Sequence, residues 1–199
     1  LEALPSLPAP TRLSGWVHES FGLGASAASV LAPVGRDRPL AADAVPADLT
    51  EASQGGLAAG TALVRGLLLN DLQAMAAAAR ERDLTLTVLS GYRSFGYQSA
   101  LIEREVRQAG LHGIDEETAR REASRYLARP GESEHHLGTA IDFNRLDEGF
   151  GATPTGRFLI EEGWRYGFLL SYPAGAEART GYIYEPWHLR WVGRPLAAA

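Results

Sequence analysis

The chain has no cysteine, one methionine and no run of apolar residues of membrane-spanning length. Without thiols, disulfides play no part in stability, and the thiolate-rich closed sites that usually hold structural zinc are excluded. The absence fits a reducing and an oxidising compartment equally. Crossing a bilayer takes roughly 20 consecutive apolar residues, so no membrane span is expected. A basic stripe is missing too. With 19 Lys and Arg against 24 Asp and Glu, the formal net charge of -5 argues against a general nucleic-acid binder. There is no internal repeat, and no low-complexity block beyond an alanine-rich stretch near residue 77. The chain opens on Leu1 rather than on Met, as a chain trimmed of a leader or anchor would, so a missing signal peptide says little about location.

What is present is a chain of 199 residues, 45% hydrophobic and 22% charged, the balance of a globular protein large enough to bury one core. Three prolines make residues 1–14 a linker or extended segment, and residues 15–32, with Trp16 and Phe21, read as an N-terminal elaboration packed through those aromatics. The expected division is thus an extension or linker over residues 1–32 and a catalytic domain over 33–199. Residues 33–49, with Pro33, Pro39 and Pro46, read as irregular chain with short extended pieces. The spacing of Leu63, Leu67, Leu68, Leu72, Met75 and Ala79 predicts a helix over 61–82. The alternation in residues 84–89 predicts a strand, followed by a turn at 90–94 and a helix over 95–109 with Tyr97, Leu101, Ile102 and Val106 as its stripe. A third helix is expected over 114–127 with Asp115 as cap, a strand over 139–143, a helix over 155–166, and strands at 182–184 and 188–192.

The chemistry concentrates in two stretches. Residues 133–142 read Ser-Glu-His-His-Leu-Gly-Thr-Ala-Ile-Asp, and residues 185–188 read Glu-Pro-Trp-His. His135, Asp142 and His188 supply two imidazoles and a carboxylate, which leaves an open fourth position of the kind a catalytic zinc needs. Taken alone, His135 and Asp142 read equally well as a capped turn followed by an aspartate on backbone amides. Glu185, three residues before His188 across Pro186, is placed just outside such a site, where a carboxylate can move a proton. Arg93, in the turn after Gly91 and Tyr92, reads either as a surface arginine or as a fixed cation for an oxyanion.

Ser-Gly-Tyr-Arg-Ser at 90–94, Ser-x-His-x-x-Gly-x-Ala-x-Asp at 133–142 and Glu-Pro-Trp-His at 185–188 resemble the VanY-type D-alanyl-D-alanine carboxypeptidases, over about residues 37–192. The resemblance implies an α+β fold, Hedgehog/DD-peptidase-like, a single domain with a small antiparallel sheet and packed helices. It implies Zn2+ on His135, Asp142 and His188, Glu185 as catalytic base, and Arg93 on the scissile carbonyl and its oxyanion. Ser133, with Gln98 as a weaker candidate, would bind the substrate's C-terminal carboxylate, and Trp187 would shape the site. The implied substrates are peptidoglycan stem peptides, which places the protein outside the cytoplasm. His136 has no counterpart among the family's ligands and reads as a bystander; His18 and His112 read as surface histidines. One departure stands out, because the family stretch resembling residues 169–176 usually carries Arg or Lys where Ser171, Ala174 and Ala176 stand here. That puts substrate-side contacts in question while leaving the metal chemistry untouched. Two rival activities share this chemistry, an L,D-carboxypeptidase acting on tetrapeptides and a peptidoglycan endopeptidase. A non-catalytic cell-wall-binding module is the rival of another class, and the intact Glu185 and Arg93 speak against it.

Overall fold

A computed structural model describes residues 30–199 of the chain. The expectations for the linker over 1–14, for the elaboration built on Trp16 and Phe21, and for His18 lie outside the described residues.

Strand β1 (Leu49–Glu51) pairs antiparallel with β2 (Leu63–Arg65), Leu49 opposite Arg65 and Glu51 opposite Leu63. A 3-10 turn over Gly66–Leu68 then feeds helix α1 (Leu69–Arg80), which buries Leu72, Met75, Ala76 and Ala79, an i, i+3, i+4, i+7 face. The helix predicted over 61–82 therefore begins eight residues late. Leu63 and Val64 fit the helical stripe by spacing, but they belong to a strand whose partner lies 14 residues upstream at Thr50. Gly66 separates the two elements and sits against the backbone oxygen of Asp48.

Strand β3 (Val88–Ser90) covers only the end of the predicted 84–89 strand, and α2 (Phe95–Leu111) follows it. Ser94 caps α2 by accepting from the Tyr97 amide. The buried residue of α2 is Gln98 rather than the expected stripe, and Tyr97 stands 55% exposed. Helix α3 (Glu116–Ala123) is capped by Asp115, whose carboxylate accepts from the Thr118 amide, as its sequence predicts. Strand β4 (Ala140–Phe143), helix α4 (Pro154–Glu162), strand β5 (Phe168–Leu170), the single turn α5 (Glu177–Thr180), strand β6 (His188–Trp191) and the turn α6 (Arg194–Ala197) complete the chain. Residues 182–184, expected as a strand, join no ladder; the Ile183 amide bonds instead to the Arg125 carbonyl.

The main sheet is antiparallel in the order β3-β4-β6-β5. Its register places the chemistry. Ile141 pairs with Leu189, and both are wholly buried on the core face with Phe143 and Phe168, whose rings meet edge to face at 6.4 Å. Because strand side chains alternate, Asp142 and its partner His188 then share the opposite face. A slip of one residue would send both into the apolar core, so the burial of Ile141 and Leu189 holds this register. The architecture is α+β in a single domain, with helices packed on small antiparallel sheets.

Candidate metal centre

Asp142 and His188 face each other across β4 and β6, with His188 Nδ1 3.0 Å from Asp142 Oδ1. His135 arrives from a 3-10 turn over Glu134–Leu137, whose first amides are capped by the Ser133 hydroxyl. The turn ends at Gly138 with φ 68°, where a Cβ would press on Leu49 and Arg65 at 3.0–3.3 Å. His135 Nε2 lies 3.3 Å from Asp142 Oδ2. The three residues are buried, and one ligand atom from each lies within 4.8 Å of the others. Two nitrogens and one carboxylate oxygen, dry and convergent, suit a borderline-soft dication that keeps an open position. The donor set fits zinc.

Surroundings fix which atoms remain available. His135 Nδ1 lies 2.6 Å from the Gly91 carbonyl, an obligatory acceptor, so Nδ1 carries the proton and Nε2 points inward with its lone pair. Gly91 cannot be larger, because a Cβ there would stand 2.1 Å from the Leu63 carbonyl oxygen. Burial, with Arg93 alongside, pushes His135 down to about 4, so it is neutral at physiological pH. His188 goes the other way. Burial would lower it, but Asp142 and Glu134 on its two nitrogens pull it up to about 10. Asp142 is held well below the ordinary carboxylate range: burial opposes this, and the two imidazoles and Arg93 outweigh it.

Glu185 sits in the turn before β6, in which the His188 amide donates to the Glu185 carbonyl. Its carboxylate lies 3.9 Å from His188 Nδ1. Burial pushes it up to about 7, with Asp142 and Glu134 adding to the rise against His188 and Arg93. A carboxyl group poised near neutrality both takes and gives a proton at working pH.

Arg93 reaches the site, its Nε donating to Ser90 Oγ at 2.8 Å and its Nη2 to Asp142 Oδ2. The guanidinium thus neutralises the ligand carboxylate here and keeps further N–H groups for a substrate. Ser133, Gln98 and Trp187 line the same cleft, a cavity of about 310 Å3 that also takes in Glu185 and all three ligand residues. The Ser133 hydroxyl accepts from the His135 amide, which leaves its own proton to donate. Gln98 Nε2 donates to the Ala128 carbonyl at 2.8 Å, while its Oε1 has no partner among the described residues. Trp187 is 8% exposed. The sequence-predicted residues are therefore brought together in one cleft.

His136 is no ligand, but it is more than a bystander. Its Nε2 accepts from the Gly131 amide at 2.8 Å and its Nδ1 meets the Arg93 carbonyl, so it ties the Arg93 turn to the 131 loop. His112 is exposed at the end of α2, as expected. Three residues escaped sequence reasoning. Glu134 bonds His188, Arg190 bonds Glu134, and Tyr172 packs on the His188 ring with centroids 4.9 Å apart. Ser171 corrects a further expectation, because its hydroxyl donates to Glu134 and so touches the support of a ligand rather than the substrate side. Alternation along β6 could have signalled Arg190, two residues beyond His188 on the same face.

Known proteins share this arrangement. The family model for VanY, D-alanyl-D-alanine carboxypeptidase, matches residues 62–194. A putative carboxypeptidase, YodJ, of Bacillus subtilis (strain 168) is 38% identical over 132 residues; the match covers 63% of this chain and 45% of that protein's length. Among solved structures, a mutant of the vancomycin-resistance D,D-pentapeptidase VanY in complex with Zn(II) superposes with a TM-score of 0.73 at 31% identity, covering 85% of this chain and 92% of that one. The LD-carboxypeptidase LdcB, whose structure bears on peptidoglycan recognition, gives the same TM-score and identity over 85% of this chain and 79% of that one.

Proposed function

Since the chain belongs to the VanY family of D-alanyl-D-alanine carboxypeptidases, we propose that it is a zinc-dependent D,D-carboxypeptidase. Its substrates would be peptidoglycan stem peptides, from which it removes the terminal D-alanine outside the cytoplasm. The observation that carries this reading is Glu185, a buried carboxyl group held near neutrality 3.9 Å from His188 in the His135–Asp142–His188 cluster.

His135 Nε2, an Asp142 oxygen and His188 Nδ1 would hold the ion. When bound, zinc supplies Lewis acidity and lowers the pKa of a coordinated water to about 7. Glu185 accepts the proton of the attacking water as its oxygen bonds to the scissile carbonyl carbon. The spare N–H groups of Arg93 face the negative charge that develops on the carbonyl oxygen. As the C–N bond breaks, Glu185 returns the proton to the departing D-alanine nitrogen, so one carboxyl group serves as base and then as acid. The Ser133 hydroxyl proton and the second amide hydrogen of Gln98 receive the substrate's terminal carboxylate. Trp187 closes the wall beside them and keeps water away from the reacting bond.

The equal likeness to an LD-carboxypeptidase supports a second reading, trimming of tetrapeptide stems by the same machinery. The two differ in the walls of the cleft, where Leu101, Tyr126 and Ile183 stand, rather than in the ligand set. The proposed function is tested by Glu185→Ala, assayed by chromatography of released D-alanine alongside zinc content. The expected result is full zinc occupancy with turnover down about 10²–10⁴-fold. Wild-type turnover in that variant would remove Glu185 from the mechanism.

A further inference from the structure

Glu134 stands next to a ligand in sequence, yet its side chain serves the other histidine. Its Oε2 lies 3.1 Å from His188 Nε2, and its side chain is 13% exposed. The carboxylate is itself held at both oxygens: Arg190 Nη1 donates to Oε1 at 3.0 Å, and the Ser171 hydroxyl donates to Oε2. An imidazole offers two equivalent nitrogens, and only the one without a proton can bind a metal. An anionic acceptor on Nε2 keeps the proton there, turns the lone pair of Nδ1 toward Asp142 and raises the basicity of that nitrogen. On His135 the pattern is reversed, because the Gly91 carbonyl takes the Nδ1 proton. One 3-10 turn thus delivers the first histidine through its backbone and orients the second through the side chain beside it.

We propose that Glu134 is a positioning residue that fixes His188 with its proton on Nε2 and presents Nδ1 to the metal, with Arg190 and Ser171 holding Glu134 in place. The inference rests on the zinc reading above. It also gives Ser171 a task where the family stretch usually carries a cation: Arg190 supplies the positive charge on Glu134, and a hydroxyl is enough beside it.

The test uses Glu134→Gln, which keeps the shape and removes the charge, and Glu134→Met, which also removes the acceptor. Zinc affinity is measured by competition with a chromogenic chelator, with thermal unfolding of the metal-free forms as the control for folding. Loss of a carboxylate that orients a ligand costs about 10–100-fold in metal affinity, and that loss is expected for Glu134→Gln, with a larger one for Glu134→Met. A general packing role would lower the unfolding temperature without this loss. Imidazole 15N NMR of the zinc-loaded wild type is expected to show His188 protonated at Nε2 and coordinating through Nδ1. Coordination through Nε2, or wild-type affinity in a folded Glu134→Gln protein, would overturn the assignment while leaving the metal site standing. A folded wild type that binds no zinc would overturn both readings together.

Discussion

Replacing Glu185 by glutamine should stabilise the metal-free protein at alkaline pH and do almost nothing in acid. Glu185 is 5% exposed, and burial pushes its carboxyl group from 4.5 to about 7. Between those two values the folded chain holds a proton that the unfolded chain has released, so stability falls as pH rises through the window. Above it, the folded state carries a charge its surroundings disfavour. At about 1.4 kcal/mol per pKa unit, the penalty at pH 8 is roughly 3 kcal/mol. Glutamine is isosteric and never ionises, so Glu185→Gln removes that penalty. For a chain of this size, roughly 3 kcal/mol corresponds to an unfolding temperature about 6–12 °C higher. At pH 4 both states of the wild type are protonated, and the two proteins should unfold together. The assay is thermal unfolding with chelator present, followed by tryptophan fluorescence at pH 4 and pH 8. A difference independent of pH, or a glutamine variant less stable at pH 8, would refute the claim that Glu185 is tuned toward neutrality by its environment. A stabilised but inactive variant is the signature of a strained catalytic group.

The remaining predictions concern the frame around the ligands. Gly91→Ala puts a Cβ 2.1 Å from the Leu63 carbonyl oxygen; such a clash costs about 1–3 kcal/mol or more, and denaturant unfolding together with a lowered zinc affinity checks it. His136→Ala strands the Gly131 amide and the Arg93 carbonyl, at about 1–3 kcal/mol for each group that water does not satisfy. Zinc should stay stoichiometric while turnover falls, and unchanged turnover would free Arg93 from this anchor. Because His188 is pulled up to about 10 by its two carboxylates, zinc uptake near pH 7.5 should release about one proton. A pH indicator in weak buffer reads that release, and uptake without it would contradict the imidazolium in the metal-free site.

How legible all this was depends on the range of the interactions. His135, Asp142, His188 and Glu185 carry their chemistry in the residue types and in short spacings, and the register of β4 against β6 follows from the apolar pair Ile141 and Leu189. Helices α2 and α3 announce themselves through Ser94 and Asp115, whose caps are local. Leu63 and Val64 misled because a strand residue and a helix residue can share one spacing, and the pairing with β1 decided between them. Glu134 was hidden for a similar reason. Its partners His188 and Arg190 lie 54 and 56 positions away, and nothing in its own neighbourhood reports them. Arg93 was half legible: its arrival in the cleft follows from the Gly91 turn, but its bond to Asp142 needs the folded sheet.

Mass spectrometry of the products from pentapeptide and tetrapeptide stems, with and without chelator, tests the central claim most directly. The account predicts that the zinc-loaded protein removes one D-alanine from the pentapeptide, that chelation abolishes the loss, and that added zinc restores it. Trimming of the tetrapeptide instead would keep the machinery of Glu185 and the three ligands and move the specificity to the L,D bond. Cleavage that ignores the chelator, or no cleavage of either stem by folded, zinc-loaded protein, would contradict it.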